Sequence, residues 1–131
     1  LAEAAIDAGA IVTLITGPVD IEPPMKCNTI PVETAKEMHE AVMHHVNKKD
    51  IYIGTAAVSD YRPVNTSNLK IKKDGSGKPI TLELEENKDI LKSVSELQDK
   101  PYVSCVLVEL WQSIATCLLK LVYCFFANSS P

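Results

Sequence analysis

The alternation of apolar runs with one amphipathic helix constrains the fold of this chain more than any other feature. The segment 10–17, AIVTLITG, shows hardly any polar alternation, which is typical of a parallel strand buried on both faces. Thr34 is predicted to begin a helix that runs to about Asn47, because Glu37 completes a capping box. A second apolar run, 51–53, follows at once. The order strand, helix, strand predicts parallel strands in an α/β fold.

Further elements extend this plan on both sides. The patterns predict a helix over 1–9 that ends at Gly9 and a short helix over 88–97. They also predict strands at 27–32 and from Tyr102. A β-hairpin is predicted from LKIKK (69–73) and PITLELE (79–85), because the DGSGK segment between them carries turn signals. We therefore expect a Rossmann-like, mostly parallel sheet with flanking helices and a β-hairpin arm, incomplete at both ends. The predicted organisation is one partial domain over 1–103 and an apolar tail over 104–131.

Composition and motifs exclude several classes of protein. Hydrophobic residues make up 46% and charged residues 23% of the chain, as in ordinary globular domains. The net charge of -4 and the concentration of lysines in 70–78 argue against nucleic-acid binding. The four cysteines show no CxxC spacing, the three histidines share no helix face with a further ligand, and P-loop, HExxH and GxSxG motifs are absent from the sequence.

The stretch from 51 to 73 carries the candidate chemistry. An apolar strand ends there in small residues that let a ligand approach the main chain, at the sheet edge where open α/β folds bind ligands. Asp60 can hold a hard cation, and four cationic side chains can neutralise phosphate oxygens: Arg62, Lys70, Lys72 and Lys73. The alternatives are structural: a turn-forming Asp60, an ion-paired Arg62, and lysines on a solvated hairpin face.

Four motifs in order resemble a known family. They are AAVSDYRP at 56–63, LKIKK at 69–73, TLEL at 81–84 and NKDIL at 87–91. Together with the helix and strand of 1–17, they resemble the phosphopantothenoylcysteine synthetase domain. In bacteria this domain is usually the carboxyl half of a bifunctional phosphopantothenoylcysteine decarboxylase/phosphopantothenate-cysteine ligase flavoprotein. The likeness covers about residues 1–102.

The resemblance implies a coenzyme A biosynthesis ligase that joins 4'-phosphopantothenate to cysteine with CTP, through an acyl-cytidylate. It implies Lys70 as the catalytic residue, Asp60 as the Mg²⁺ ligand, and a nucleotide site made of Ala56, Ala57, Asp60 and Lys70. Weaker assignments fall on Arg62, Lys72, Lys73 and Asn87. Lys88 replaces the proline of the family's N-P-D-I element, so Asn87 is also a candidate helix cap. FMN would belong only to an upstream flavoprotein half.

The resemblance also implies a cytoplasmic homodimer paired through the β-hairpin arm, whose small-molecule partners are 4'-phosphopantothenate, cysteine and CTP. Two other readings stay open. One is a different nucleotide-dependent enzyme or dinucleotide binder on the same plan. The other is a noncatalytic dimerising or membrane-associated remnant.

The likeness stops after residue 103. The family continues there with a GFAAET-like segment, whereas this chain reads SCVLVELWQSIATCLLKLVYCFFANSSP, as expected of a frameshifted or altered gene end. We expect this tail to form a helix packed on the sheet rather than a membrane span, because Glu109, Gln112 and Lys120 interrupt it. We also expect a domain fragment with impaired activity.

Overall fold

The computed structural model describes residues 1–66, 72, 77, 79–105 and 123–128. Within these residues the chain forms three helices and seven strands. The helices are α1 (Ala2–Asp7), α2 (Ala35–His45) and α3 (Ile90–Ser95). The strands are β1 (Ile11–Thr16), β2 (Asn28–Pro31), β3 (Ile51–Gly54), β4 (Tyr61–Pro63), β5 (Leu84–Glu86), β6 (Tyr102–Cys105) and β7 (Tyr123–Asn128). The predicted α/β fold is confirmed.

The main sheet has the strand order β2-β1-β7-β3-β6. The pairs β1 with β2 and β3 with β6 are parallel, as predicted. Strand β7 is antiparallel to both β1 and β3, so the other four strands all run in one direction. Their carboxyl ends therefore meet at one edge, which is where open sheets of this kind bind ligands.

Helices cover both faces of the sheet. On one face, Val12 packs against α1 residues and Ile53. On the other face, Ile15 and Tyr52 share a core with apolar residues of α2 and α3. The core on this second face also contains Val32, Met38, Val42, Val46, Ile90 and Val94. This two-sided burial explains why β1 lacks the polar alternation of a half-exposed strand.

The predicted helix boundaries follow from local hydrogen bonds. The hydroxyl of Thr34 accepts a bond from the Glu37 amide at 3.1 Å, and the Glu37 carboxylate accepts one from the Glu33 amide at 2.8 Å. This capping box starts α2 where the sequence predicts. Gly9 follows α1 with φ of 90°, a backbone conformation that glycine adopts without a Cβ clash.

The carboxyl-terminal tail differs from the prediction. Residues Tyr123–Asn128 form a strand rather than part of a helix. The strand lies between β1 and β3, with Phe125 in register with Leu14 on one side and Ile53 on the other. Its main chain pairs with edges that β1 and β3 leave open, and unpaired main-chain groups in a sheet interior are costly. Among the described residues, no helix has the length and apolarity needed to cross a bilayer.

The hairpin prediction also requires correction. Most of its first strand, 69–73, lies outside the described residues, and Lys72 is not in a strand. The second strand is shorter than predicted and is limited to β5, which pairs in antiparallel fashion with β4. The pairing of Arg62 with Glu85 brings two strongly interacting side chains opposite each other, and this long-range contact cannot be read from turn signals.

Candidate functional site

A cavity among the described residues opens at the carboxyl end of β3. Its volume is about 490 Å³, a size suited to a nucleotide or a similar small molecule. Gly54 ends β3 at the floor, where a Cβ would stand 3.1 Å from the Tyr52 hydroxyl oxygen. The wall comes from the loop after β3 and from the segment between β5 and α3. The lining residues are Tyr52, Gly54, Ala56, Val58, Ser59, Asp60, Tyr61, Glu86, Asn87, Lys88, Asp89, Ile90 and Leu91.

The charges around this cavity favour a cation-bound ligand. Its described lining includes three carboxylates, from Asp60, Glu86 and Asp89, and one ammonium group, from Lys88. A bare triphosphate would be repelled by this set, whereas a triphosphate carrying a divalent cation would have part of its charge neutralised. Carboxylate oxygen is also the ligand type that Mg²⁺ prefers.

Asp60 lies at the mouth of the cavity with an exposed side chain. Its main-chain oxygen accepts a 2.7 Å bond from the Asn87 amide, so the loop after β3 is joined to the segment before α3. The described residues contain no group of three or more His, Cys, Asp or Glu side chains placed to share a metal ion. Asp60 could hold a Mg²⁺ ion only together with ligands from substrate phosphates and water, which are usual for this ion, and its role as the metal ligand stays a prediction.

Arg62 and Asn87 form one hydrogen-bonded unit. Arg62 Nε donates to Glu85 Oε1 at 2.9 Å, and Arg62 Nη1 donates to Asn87 Oδ1 at 2.7 Å. Asn87 Nδ2 in turn donates to the Ser59 main-chain oxygen at 2.8 Å. These contacts agree with the structural alternative for Arg62, and its predicted contact with phosphate stays a prediction.

The predicted capping role of Asn87 is wrong. Helix α3 is capped by Asp89, whose side chain accepts a 2.9 Å bond from the Lys92 amide. The side chain of Asn87 is directed instead toward Arg62 and Ser59. Because a carboxylate at the N-cap also interacts favourably with the helix dipole, Asp89 is the stronger cap of the two.

A second cavity of about 250 Å³ lies beside the first. It adjoins the carboxyl ends of β1 and β2, which Gly17 and Val32 follow, and the start of α2. Arg62 lines this smaller cavity and is absent from the described lining of the larger one. The residues common to both linings are Val58, Ser59, Tyr61 and Asn87, so a shared wall separates the two spaces.

Only some of the other predicted site residues line the larger cavity. Ala56 lines the larger cavity, but Ala57 is exposed and is not in its described lining. Lys72 is exposed and lines neither cavity. Lys70 and Lys73 lie outside the described residues, so the predicted pairing of Lys70 with Asp60 stays a prediction.

The groups outside the cavity that have shifted pKa values include His39 and Cys27. His39 is half-buried, and its Nε2 lies 3.1 Å from Ser93 Oγ between α2 and α3. Loss of hydration lowers the pKa of His39, and the charge of Lys88 lowers it further. Partial burial raises the pKa of the Cys27 thiol, as expected of a structural cysteine. Cys27 forms no disulfide.

Sequence reasoning missed the contributions of Glu86 and Lys88 to the larger cavity. Glu86 is the last residue of β5, and Lys88 lies in the segment that joins β5 to α3. A usable signal was present, because the start of a helix that follows a strand in an α/β fold often faces the ligand-binding edge. The partner of Arg62 had no comparable signal, since Glu85 is 23 positions away in the sequence.

Comparisons with known proteins show which family this chain resembles. Residues 1–112 match the family model described as the DNA/pantothenate metabolism flavoprotein C-terminal domain. The Coenzyme A biosynthesis bifunctional protein CoaBC of Vibrio vulnificus strain YJ016 is 42% identical over 103 residues, which is 78% of this chain and 26% of that protein. The CoaBC protein of Escherichia coli K12 is 42% identical over 105 residues, or 79% of this chain and 26% of that protein.

A solved structure extends the comparison to the fold. The crystal structure of the C-terminal domain of CoaBC aligns with a TM-score of 0.64 and 39% sequence identity, over 78% of this chain and 45% of that one. This chain spans about a quarter of the length of the curated CoaBC proteins that it matches. The agreement of sequence and fold shows that the chain belongs to the family of DNA/pantothenate metabolism flavoprotein C-terminal domains.

Proposed function

We propose that this chain carries part of a CTP-dependent phosphopantothenate-cysteine ligase of coenzyme A biosynthesis. The observation that supports this most directly is the 490 Å³ cavity at the carboxyl end of β3, with Asp60 at its mouth in a segment that resembles the synthetase motif. Relatives named for coenzyme A biosynthesis support the same pathway.

The proposed reaction has two balanced steps. A carboxylate oxygen of 4'-phosphopantothenate attacks the α-phosphorus of CTP, and the bond from that phosphorus to pyrophosphate breaks. The amine of cysteine then attacks the activated carbonyl carbon, the acyl–phosphate bond breaks, CMP leaves, and the amine loses a proton. Activation is needed because a free carboxylate offers a poor leaving group to an amine.

The chain's own residues would bind and orient the reactants. Asp60 would hold the metal-bound triphosphate, and Ala56 would let the main chain lie close to the nucleotide. Mg²⁺, when bound, would offset charge that develops on the phosphates. Lys70, which resembles the first lysine of the family's KIKK element, would neutralise the departing pyrophosphate as a point charge.

A binding experiment tests the nucleotide site. Titration calorimetry with CTP and Mg²⁺ should give saturable heat for the 131-residue chain, and Asp60→Asn should weaken the Mg²⁺-dependent affinity at least about tenfold, or about 1.4 kcal/mol. Asp20→Asn is the matched control, because Asp20 is exposed and lines neither cavity. Equal affinity in the presence and absence of Mg²⁺, or equal loss in both variants, would contradict the proposal.

Turnover is a separate question. We infer that the isolated chain ligates slowly or not at all, because it covers less than half of the solved CoaBC domain chain. Release of CMP, measured by chromatography with all three substrates present, tests this inference. A rate near that of a full-length CoaBC assayed in parallel would contradict it.

A specific observation also favours self-association. Ile80, Leu82 and Leu84 alternate along the chain and are 67%, 62% and 56% exposed, so they form an apolar row that ends at the first residue of β5. We infer that a second copy covers this row in a homodimer. Light scattering should report a dimer for the unaltered chain and a monomer for Leu82→Glu. A monomer in both cases would contradict the proposed homodimer.

A further inference from the structure

The strand pair β4–β5 has little intrinsic support. It contains three residue pairs, and one of them involves Pro63, which has no amide hydrogen to donate. An isolated pair of short strands is marginally stable in water. Nevertheless, both strands lead directly into the wall of the larger cavity, Tyr61 from one side and Glu86 from the other. Main-chain bonds just beyond each end of the pair, together with contacts between side chains, must therefore hold the ribbon in place.

Arg62 supplies the central contact. Its guanidinium bridges Glu85 at 2.9 Å and Asn87 at 2.7 Å, which are two positions on the opposite strand and just beyond it. A guanidinium has donors in a rigid planar fork, so it can hold two acceptors at fixed separation. A lysine ammonium on a flexible stem cannot reproduce that arrangement.

Arg62 also determines which way the Asn87 amide faces. Because the guanidinium only donates, the atom of Asn87 next to it must be the oxygen, and the amide nitrogen is then directed to the Ser59 carbonyl at 2.8 Å. The Asn87 main-chain amide binds the Asp60 carbonyl at 2.7 Å. Asn87 thereby holds the main chain of Ser59, which lines both cavities, and of Asp60, which lines the larger cavity.

We propose that Arg62 is a positioning residue: it fixes Asn87, and through Asn87 the main chain that presents Asp60, without contacting the nucleotide. This inference rests on the proposed function for its binding consequence. It differs from the sequence-based prediction of phosphate neutralisation, and it agrees with the absence of Arg62 from the described lining of the larger cavity.

A double-mutant cycle separates positioning from direct contact. CTP affinity with Mg²⁺ is measured for the unaltered chain, Arg62→Lys, Asn87→Ala and the combined variant. Each single change should weaken binding about tenfold, and the combined variant should be no weaker than Asn87→Ala, because coupled residues are not additive. Additive losses of about a hundredfold, or unchanged affinity in Arg62→Lys, would overturn the inference.

A measurement without ligand tests the contact between Arg62 and Asn87 even if CTP does not bind. Exchange of the Asn87 side-chain amide hydrogens, followed by NMR, should be about tenfold faster in Arg62→Lys than in the unaltered chain. Lys36→Met is the control, since it removes a cation from the exposed ion pair with Glu40, and neither residue of that pair lines either cavity. Unchanged exchange in Arg62→Lys overturns the inference. Faster exchange with no CTP binding in any variant supports the contact and refutes the proposed function.

Discussion

The capping box of α2 permits a quantitative prediction. Thr34→Ala removes the acceptor of the 3.1 Å bond from the Glu37 amide and leaves that amide without its side-chain partner. The other bond of the box, from the Glu33 amide to the Glu37 carboxylate at 2.8 Å, does not involve the Thr34 hydroxyl. Thr34→Ser keeps a hydroxyl at the same position, so it is the matched control.

The size of the expected loss in unfolding free energy follows from the place of α2 in the fold. Loss of a Ser or Thr cap costs about 1 kcal/mol. Met38 and Val42 of this helix are 3% and 0% exposed and pack in the main core, so fraying of its first turn is transmitted to global stability. We expect Thr34→Ala to lower the free energy of unfolding by about 1 kcal/mol and the melting temperature by about 4 °C.

Urea denaturation followed by circular dichroism measures this change. Thr34→Ser should retain most of the unfolding free energy that Thr34→Ala loses. If both substitutions cost the same, or if Thr34→Ala costs less than about 0.3 kcal/mol, the hydroxyl acceptor does not stabilise the helix and the reasoning is refuted.

The capping box of α2 also makes the stability of the fold depend on pH. The bond from the Glu33 amide lowers the pKa of Glu37 below its ordinary value of 4.5, because the ionised carboxylate is the better acceptor. A lowered folded-state pKa means that this contribution is fully present above the unfolded pKa and disappears as the pH falls through the folded pKa. The stability of Glu37→Gln should therefore change less with pH over this acidic range than that of the unaltered chain.

The remaining predictions concern the sheet and its core. Val42→Ala should lower the free energy of unfolding by about 2 kcal/mol in urea, because it removes two buried methyl groups and leaves a cavity. Gly54→Ala should cost about 1–3 kcal/mol and weaken CTP binding, because its Cβ would stand 3.1 Å from the Tyr52 hydroxyl oxygen at the cavity floor; unchanged stability and affinity would contradict this. Phe125→Pro should lower the urea midpoint and broaden the transition, because β7 is bonded to β1 and β3 and proline cannot donate in a central strand.

Local patterns predicted most of the elements correctly. Thr34 and Glu37 stand at capping-box spacing, and the helix begins there because the hydrogen bonds involved span only a few residues. The apolar run 51–53 predicted β3, and the small residues after it predicted an approach to a ligand-binding edge. Such signals are reliable because both partners of each interaction are neighbours in sequence.

These local patterns could not predict which strands and side chains pair when they are far apart in the sequence. Glu85 becomes the partner of Arg62 only when β4 meets β5, and this contact diverts Asn87 from helix capping. The apolar content of the tail is compatible with a helix and with a strand. Its residues Tyr123–Asn128 form a strand because β1 and β3 present main-chain edges that need hydrogen-bond partners.

The sequence by itself determined the alternation of strands and helices, the bounds of α2 and the family resemblance carried by the segment around Asp60. Only the tertiary structure decided which side chains surround the cavity, which partner Arg62 takes and where the last strand lies. The physical reason is the range of the forces concerned. Helix caps and apolar periodicity act within a few residues, whereas sheet order, ion pairs between strands and shared cavity walls depend on segments brought together by folding.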